Sequence, residues 1–250
     1  MIGITFLSVF TTSQIHHKNL AMKVYLVVSV LSAWITLVYT QISSPGAVSR
    51  YAPGGQYIML TFSGGPHHYA TPKILDILKE QKAKATFFVT GFNANNYKEV
   101  VARIYAEGHE IGNHGYHNHR PFLKLNRDEV VSSVNQTNKV ISEVTKTAVV
   151  KHLRPPNGLT NADVNQILKR NGAANVILWS LDSRDVQEQN PAEITKLVLK
   201  KAVPGDVILM HDSTNQTINA LPDILKGLYK QGYEFLTIAD VASFPDDSPH

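Results

Sequence analysis

Short apolar runs rich in β-branched and aromatic residues alternate along this 250-residue chain with longer segments of helical period, and this alternation limits the fold more than any other feature. The apolar runs lie at 57–62 (YIMLTF), 85–89, 109–113, 149–153, 175–180, 206–210 and 234–238. Helical patterns fill 71–82, 95–107, 127–145, 161–171, 191–202 and 217–231. Capping residues punctuate them: Thr71 before Pro72, Asn126 before Arg127-Asp128-Glu129, Asn161, and Asn190 before Pro191. Repeated strand–helix–strand units require parallel strands with right-handed crossovers. The runs are almost continuously apolar, as strands covered on both faces must be. The fold class is therefore α/β with about seven parallel strands, arranged either as a barrel or as an open doubly wound sheet.

Composition removes several function classes. The chain has no cysteine, so disulfides, zinc ribbons and thiol catalysis are excluded. Any metal site must come from carboxylates and the 11 histidines. Net charge is only +4 and no stripe of Lys and Arg forms, which argues against nucleic acid as a partner. At the amino end, residues 24–39 are nearly all apolar and follow Met22 and Lys23, the pattern of a signal peptide or a membrane tether. We read 1–42 as a leader with Met22 as a candidate start, 43–54 as a linker and 55–245 as the working domain. The expected location is secreted, or at the cell surface or wall. In that compartment Asn135 and Asn215, each followed two residues later by threonine, become glycosylation acceptors.

Polar residues collect where such a fold keeps its chemistry, at the carboxyl ends of the strands. The first strand runs into Ser63-Gly64-Gly65-Pro66-His67-His68, and the third into His114-Gly115-Tyr116-His117-Asn118-His119. The fourth runs into Arg154-Pro155-Pro156-Asn157-Gly158, the fifth into Asp182-Ser183-Arg184-Asp185, and the sixth into His211-Asp212. A lone histidine or aspartate after a strand is an ordinary turn residue, but five such clusters in order are not explained by packing.

In these five clusters the chain resembles the polysaccharide deacetylases, family four of the carbohydrate esterases, over about residues 55–240. The resemblance implies a distorted (β/α) barrel with an incomplete ring of strands. It also implies, for active members, a divalent metal held by one Asp and two His, a second Asp as general base and a late His as general acid on an N-acetylated sugar polymer. The family's first motif is Thr-Phe-Asp-Asp-Gly-Pro. Thr61-Phe62 and Gly65-Pro66 match, but Ser63 stands at the general-base position and Gly64 at the metal-ligand position. The second motif places two histidines four apart, and here His114 is followed by Asn118. Arg154-Pro155-Pro156 matches the third, with Asn157 where an aromatic is usual. Trp179 to Asp185 resembles the fourth, with Val186 in place of a groove-lining Trp. Leu209-Met210-His211-Asp212 keeps the fifth. By the resemblance His211 is the acid, Asp182 pairs with it, Arg154 steadies the base position, and Leu209, Arg154 and Trp179 contact substrate.

The substitutions have direct chemical consequences. Gly64 has no side-chain donor, and the neutral amide of Asn118 is a poor zinc ligand. His114 alone does not hold a divalent ion. Ser63 is far too weak a base to replace a carboxylate, a loss of about 10²–10⁴ in rate. Losing the metal removes carbonyl polarisation as well. We therefore expect no resident metal, and a homologue that is inactive or very weak and binds chitin-like polymers. Two alternatives stay open. His117 and His119 could join His114 in a rebuilt site for zinc or another divalent metal, giving an active N-deacetylase of chitin or chito-oligosaccharides. The fold could also serve as a non-enzymatic scaffold.

Overall fold

A computed structural model describes residues 45–51, 55–146 and 150–244. The leader, with Met22 and the apolar segment 24–39, lies outside the described residues, as does Val149 at the start of one expected strand. Among the described residues, no helix is long and apolar enough to cross a membrane.

The strands are β1 (Ala47–Val48), β2 (Tyr57–Ser63), β3 (Thr86–Val89), β4 (Glu110–Asn113), β5 (His152–Leu153), β6 (Asn175–Ile177), β7 (Leu181–Asp182), β8 (Val207–His211) and β9 (Glu234–Phe235). Helices α1 (Ala70–Glu80), α2 (Gly91–Asn96), α3 (Lys98–Ala106), α4 (Arg127–Thr145), α5 (Ala162–Arg170), α6 (Pro191–Lys201), α7 (Asn215–Lys230) and α8 (Ile238–Ala242) fall between and after them. The sheet runs β1-β6-β5-β4-β3-β2-β8-β7, with every pairing parallel, while β9 pairs with β2 alone. It curves into the expected distorted (β/α) barrel, with eight strands on this path instead of about seven. Six of the expected strands lie on it together with β1 and β7, while the expected run at 234–238 gives β9, off the path. β1 lies in the stretch read as linker, and β7 lies just past the expected run 175–180, where the sequence reads as a polar strand-end cluster.

The centre of the sheet is β2, all seven of whose residues are buried. Phe62 stacks on Phe87 of β3 at 4.9 Å between ring centroids. Ile58, Leu60 and Phe62 join Ile74, Leu75 and Leu78 of α1 and Leu221, Ile224 and Leu225 of α7 in the main core. Each helix buries one stripe and leaves its other face polar, as a helix laid against a sheet must. Asn126 caps α4 in a capping box with Glu129, as its sequence signals. The segment read as one helix over 95–107 is two, because Tyr97 (φ −128°, ψ 55°) breaks the helical path.

The ring is open between β1 and β7. The chain crosses this seam within three residues: Leu178 N–H donates to the Val48 carbonyl on one side, and Ser180 N–H to the Val207 carbonyl on the other. Asp206, buried at the foot of β8, accepts from Arg50 just past β1 and from Ser180 just before β7, each at 2.6 Å. One carboxylate thus ties both edges of the sheet.

Candidate functional site

A cavity of about 200 Å³ opens at the carboxyl ends of the strands, lined by Ser63, His114, Asn118, Arg154, Asn157, Gly158, Trp179, Asp182, Val186, Gln187, Leu209 and His211. The strand-end clusters expected from sequence therefore meet in one place. Register explains part of this, since Ser63 at the end of β2 pairs with Phe88 of β3 and with His211 of β8.

Arg154 forms the floor. It follows β5, and its side chain is fully buried. Nη1 donates to Thr61 Oγ1 at 2.8 Å and to Ser63 Oγ at 3.0 Å. Nη2 and Nε donate to the carbonyls of Leu178 (2.7 Å) and Ile177 (3.3 Å). The guanidinium lies 4.2 Å over the Phe88 ring and 5.6 Å from that of Trp179. Burial pushes its pKa down to about 9. It is a charge placed among neutral partners only.

His114, at the end of β4, is buried, and its Nδ1 lies 2.7 Å from the Arg154 carbonyl oxygen. That oxygen can only accept, so Nδ1 carries the proton. Asn118 lines the same cavity. Burial, helped by the positive Arg154 and against the hydrogen bond to its carbonyl, pushes His114 down to about 3. The ring is neutral.

His211 is held by a different carboxylate from the one expected. Its Nδ1 lies 2.8 Å from Asp185 Oδ1, and its backbone N–H donates to Asp185 Oδ2 at 2.6 Å. Thr217 Oγ1 donates to the same Oδ2 at 2.6 Å. Asp182 instead accepts from the Arg184 backbone N–H at 2.7 Å and lines the cavity without touching His211. The reason is local. Arg184 sits at φ 61°, a turn that brings buried Asp185 round to the histidine. Thr217, which fixes Asp185 from α7, was not singled out by sequence, where it reads only as part of a sequon.

The residues at the metal position do not fit a divalent ion. Gly64 contributes no donor, Ser63 Oγ is taken up by Arg154, and Asn118 offers only a neutral amide beside His114. Glycine is also the residue its backbone favours, with φ +90°. The rebuilt site does not assemble either. His117 packs against Phe92 and Tyr116, 5.1 Å from His119 between ring centroids. It lines a separate open cleft of about 770 Å³ with Tyr116, Arg120 and Arg127, which shares no residue with the cavity above. Among the described residues, no three His, Asp or Glu side chains converge as a metal site.

Three buried groups set an acid response. Burial and Lys84 push His109 down to about 4, and His114 titrates near 3, both below the 6.5 of an unfolded histidine. Burial pushes Asp212 up to about 6, above the 3.8 of an unfolded carboxyl. Between about pH 6.5 and 4 the unfolded chain gains two protons that the folded histidines refuse. The folded Asp212 retains one that the unfolded carboxylate loses. The unfolded state therefore binds about one proton more, and stability falls on acidification with a slope approaching ~1.4 kcal/mol per pH unit. Urea melts at pH 6.5, 5.5 and 4.5 should show this, and His109→Asn, which keeps an acceptor for the Ala85 amide, should flatten it. A flat profile, or one rising toward acid, refutes the assignment.

The polysaccharide deacetylase family model matches residues 50–176. A peptidoglycan-N-acetylglucosamine deacetylase of Bacillus cereus is 33% identical over 213 residues, covering 83% of this chain and 99% of that protein. A chitooligosaccharide deacetylase of Sinorhizobium fredii is 32% identical over 199 residues, covering 74% and 92%. Among solved structures, a mutant of a Bacillus anthracis CE4 family pseudoenzyme with restored enzymatic activity aligns with a TM-score of 0.74 at 29% identity, covering 80% of this chain and 72% of that one.

Proposed function

This chain belongs to the polysaccharide deacetylase family, and from that premise we propose that it binds N-acetylated wall polysaccharides without deacetylating them by a metal-dependent route. The observation that carries the reading is the trio at the metal position. Gly64, with no side-chain donor, and Asn118, a neutral amide, stand with His114, which is the one strong ligand left of the three. With Ser63 in place of a carboxylate, the cavity also has no strong base next to Arg154.

The rest of the cavity is suited to holding a sugar. Trp179 offers a ring, Leu209 an apolar wall, and Ser63, Asn118, Gln187 and His211 offer polar groups. Asp185 keeps His211 oriented, with the ring's other nitrogen left for a ligand hydroxyl or carbonyl. Relatives that act on peptidoglycan and on chitooligosaccharides support an N-acetylglucosamine polymer as the ligand. The aligned pseudoenzyme supports the idea that a member of this family can lose its chemistry and keep its fold. Secretion through the leader, or tethering to the membrane by 24–39, would bring the domain to such polymers.

The test is metal content and acetate release in the same sample of full-length protein, with chitin retention measured beside them. We expect no stoichiometric zinc, no acetate above the protein-free control, and retention on chitin that soluble chito-oligosaccharides compete away. One tightly bound zinc per chain with acetate release would overturn the reading. Absence of retention would leave the scaffold role.

A further inference from the structure

We infer that the floor of this cavity binds a carboxylate group of the ligand, held by the Ser63 hydroxyl against the buried Arg154 cation; this deepens the reading of the cavity as a glycan site and rests on it. Every hydrogen-bond and ring partner of the Arg154 guanidinium is neutral: two hydroxyls, two carbonyls and two aromatic faces. The neighbouring acids are committed elsewhere. Asp185 is held by His211 and Thr217, Asp212 by Thr71, and Asp182 by the Arg184 backbone. A buried cation without a counter-charge is costly, and an anion brought within a few ångströms recovers part of that cost.

The cavity gives an anion a route to that charge. Both Ser63 and Arg154 line it. Ser63 Oγ accepts from Arg154 Nη1, which leaves its own proton to donate to a ligand. That proton is polarised by the guanidinium behind it, so the site reads charge through one hydroxyl. Leu209 and Trp179 supply an apolar wall for a short carbon chain, and the Asn118 amide supplies another polar group. Asp182, the one acid in the lining, is partly exposed and disfavours a second negative charge close to it. These features favour a planar monocarboxylate over a multiply charged anion.

The carboxylate could be free or carried by a sugar, and the experiment separates the two. Thermal melting of the full-length protein is followed with sodium acetate, N-acetylmuramic acid and its neutral counterpart N-acetylglucosamine, with sodium chloride at matched ionic strength as reference. A rise in Tm with acetate and with N-acetylmuramic acid beyond the chloride reference supports the carboxylate site. A rise with N-acetylmuramic acid alone supports it as a glycan carboxylate, and a rise with acetate alone as a free one. Ser63→Asp places a carboxylate on the site covalently and is expected to weaken binding at least about tenfold through like-charge repulsion. Ser63→Ala, which removes only the hydroxyl, should weaken it less. Equal shifts with chloride, or unchanged binding in Ser63→Asp, overturn the inference. Chitin retention without any carboxylate effect overturns this inference alone, while a carboxylate effect without retention overturns the glycan reading.

Discussion

A chain carrying Ser63→Asp, Gly64→Asp and Asn118→His together is expected to acquire zinc and to release acetate from chito-oligosaccharides at least about 10³-fold faster than the unsubstituted protein. The magnitude combines a general base, about 10²–10⁴ in rate, with metal polarisation of the scissile carbonyl. The half of the site that should serve the new groups is already built. Arg154 Nη1 lies 3.0 Å from Ser63 Oγ, so a carboxylate there gains a charge partner, and His211 is already fixed by Asp185. Space at Gly64 is adequate, because the nearest atom to an added Cβ is Asn118 Nδ2 at 3.7 Å. Its φ of +90° makes any side chain costly, by about 1–2 kcal/mol, which the ion pair that Ser63→Asp forms with Arg154 should offset. Gly64→Asp alone should gain little, since its carboxylate would meet the Asn118 amide and not a metal. Metal content by mass spectrometry and an acetate assay decide the matter. A triple variant that binds zinc and stays silent would show that the retained half is not competent.

The second large effect concerns stability. Gly65→Ala is expected to cost about 3 kcal/mol, because the added methyl would overlap both carboxylate oxygens of Asp212. Asp212 has nowhere to go. It is buried, and its Oδ2 accepts from Thr71 Oγ1 at 2.7 Å. Thr71 in turn accepts from the His67 backbone N–H at 2.8 Å, so displacing the carboxylate disturbs the whole entry to α1. In a domain of this size, a Tm lower by roughly 6–12 °C follows. Adding Asp212→Ala should make the double variant more stable than the sum of the two single changes predicts, by about 1 kcal/mol or more. A Gly65→Ala chain melting within a degree or two of the parent would refute the steric argument.

Thr71 also marks a limit of what sequence reveals. Followed by Pro72, it reads as a helix cap, yet α1 starts at Ala70 and the hydroxyl serves Asp212, which follows the neighbouring strand β8 and is 141 residues away in sequence. Long-range partners of this kind carry no local signal. The long elements were legible because their periods and caps are: β2 is unbroken apolar, and α4 opens with Asn126 and Glu129. The strands β1 and β7 were not, because neither sits in an apolar run of its own: β1 follows Ser-Pro-Gly, and β7 ends on Asp182. In the site, Ser63, His114, Arg154 and His211 were legible through the order of their motifs, and they line one cavity. The carboxylate behind His211 was not. Asp182 and Asp185 are three apart, and only the left-handed turn at Arg184 decides which one faces the histidine. His117 and His119 share an extended-looking stretch with His114, but the chain leads His117 to a neighbouring cleft, with His119 beside it.

The seam of the barrel bears on how this protein behaves among its own copies. Open sheets present two ladders of unpaired backbone groups, and such edges recruit other chains. Asp206 fastens the two ends of the sheet to one point, gathering Arg50 from beyond β1 and Ser180 from before β7 onto one buried carboxylate. Loss of that single side chain would untie both ends of the sheet at once and leave its two short parallel edges looser in a protein without a disulfide to hold them. The failure would then be collective: chains joining edge to edge, with solubility falling as concentration rises while the cavity at the far ends of the strands stays intact.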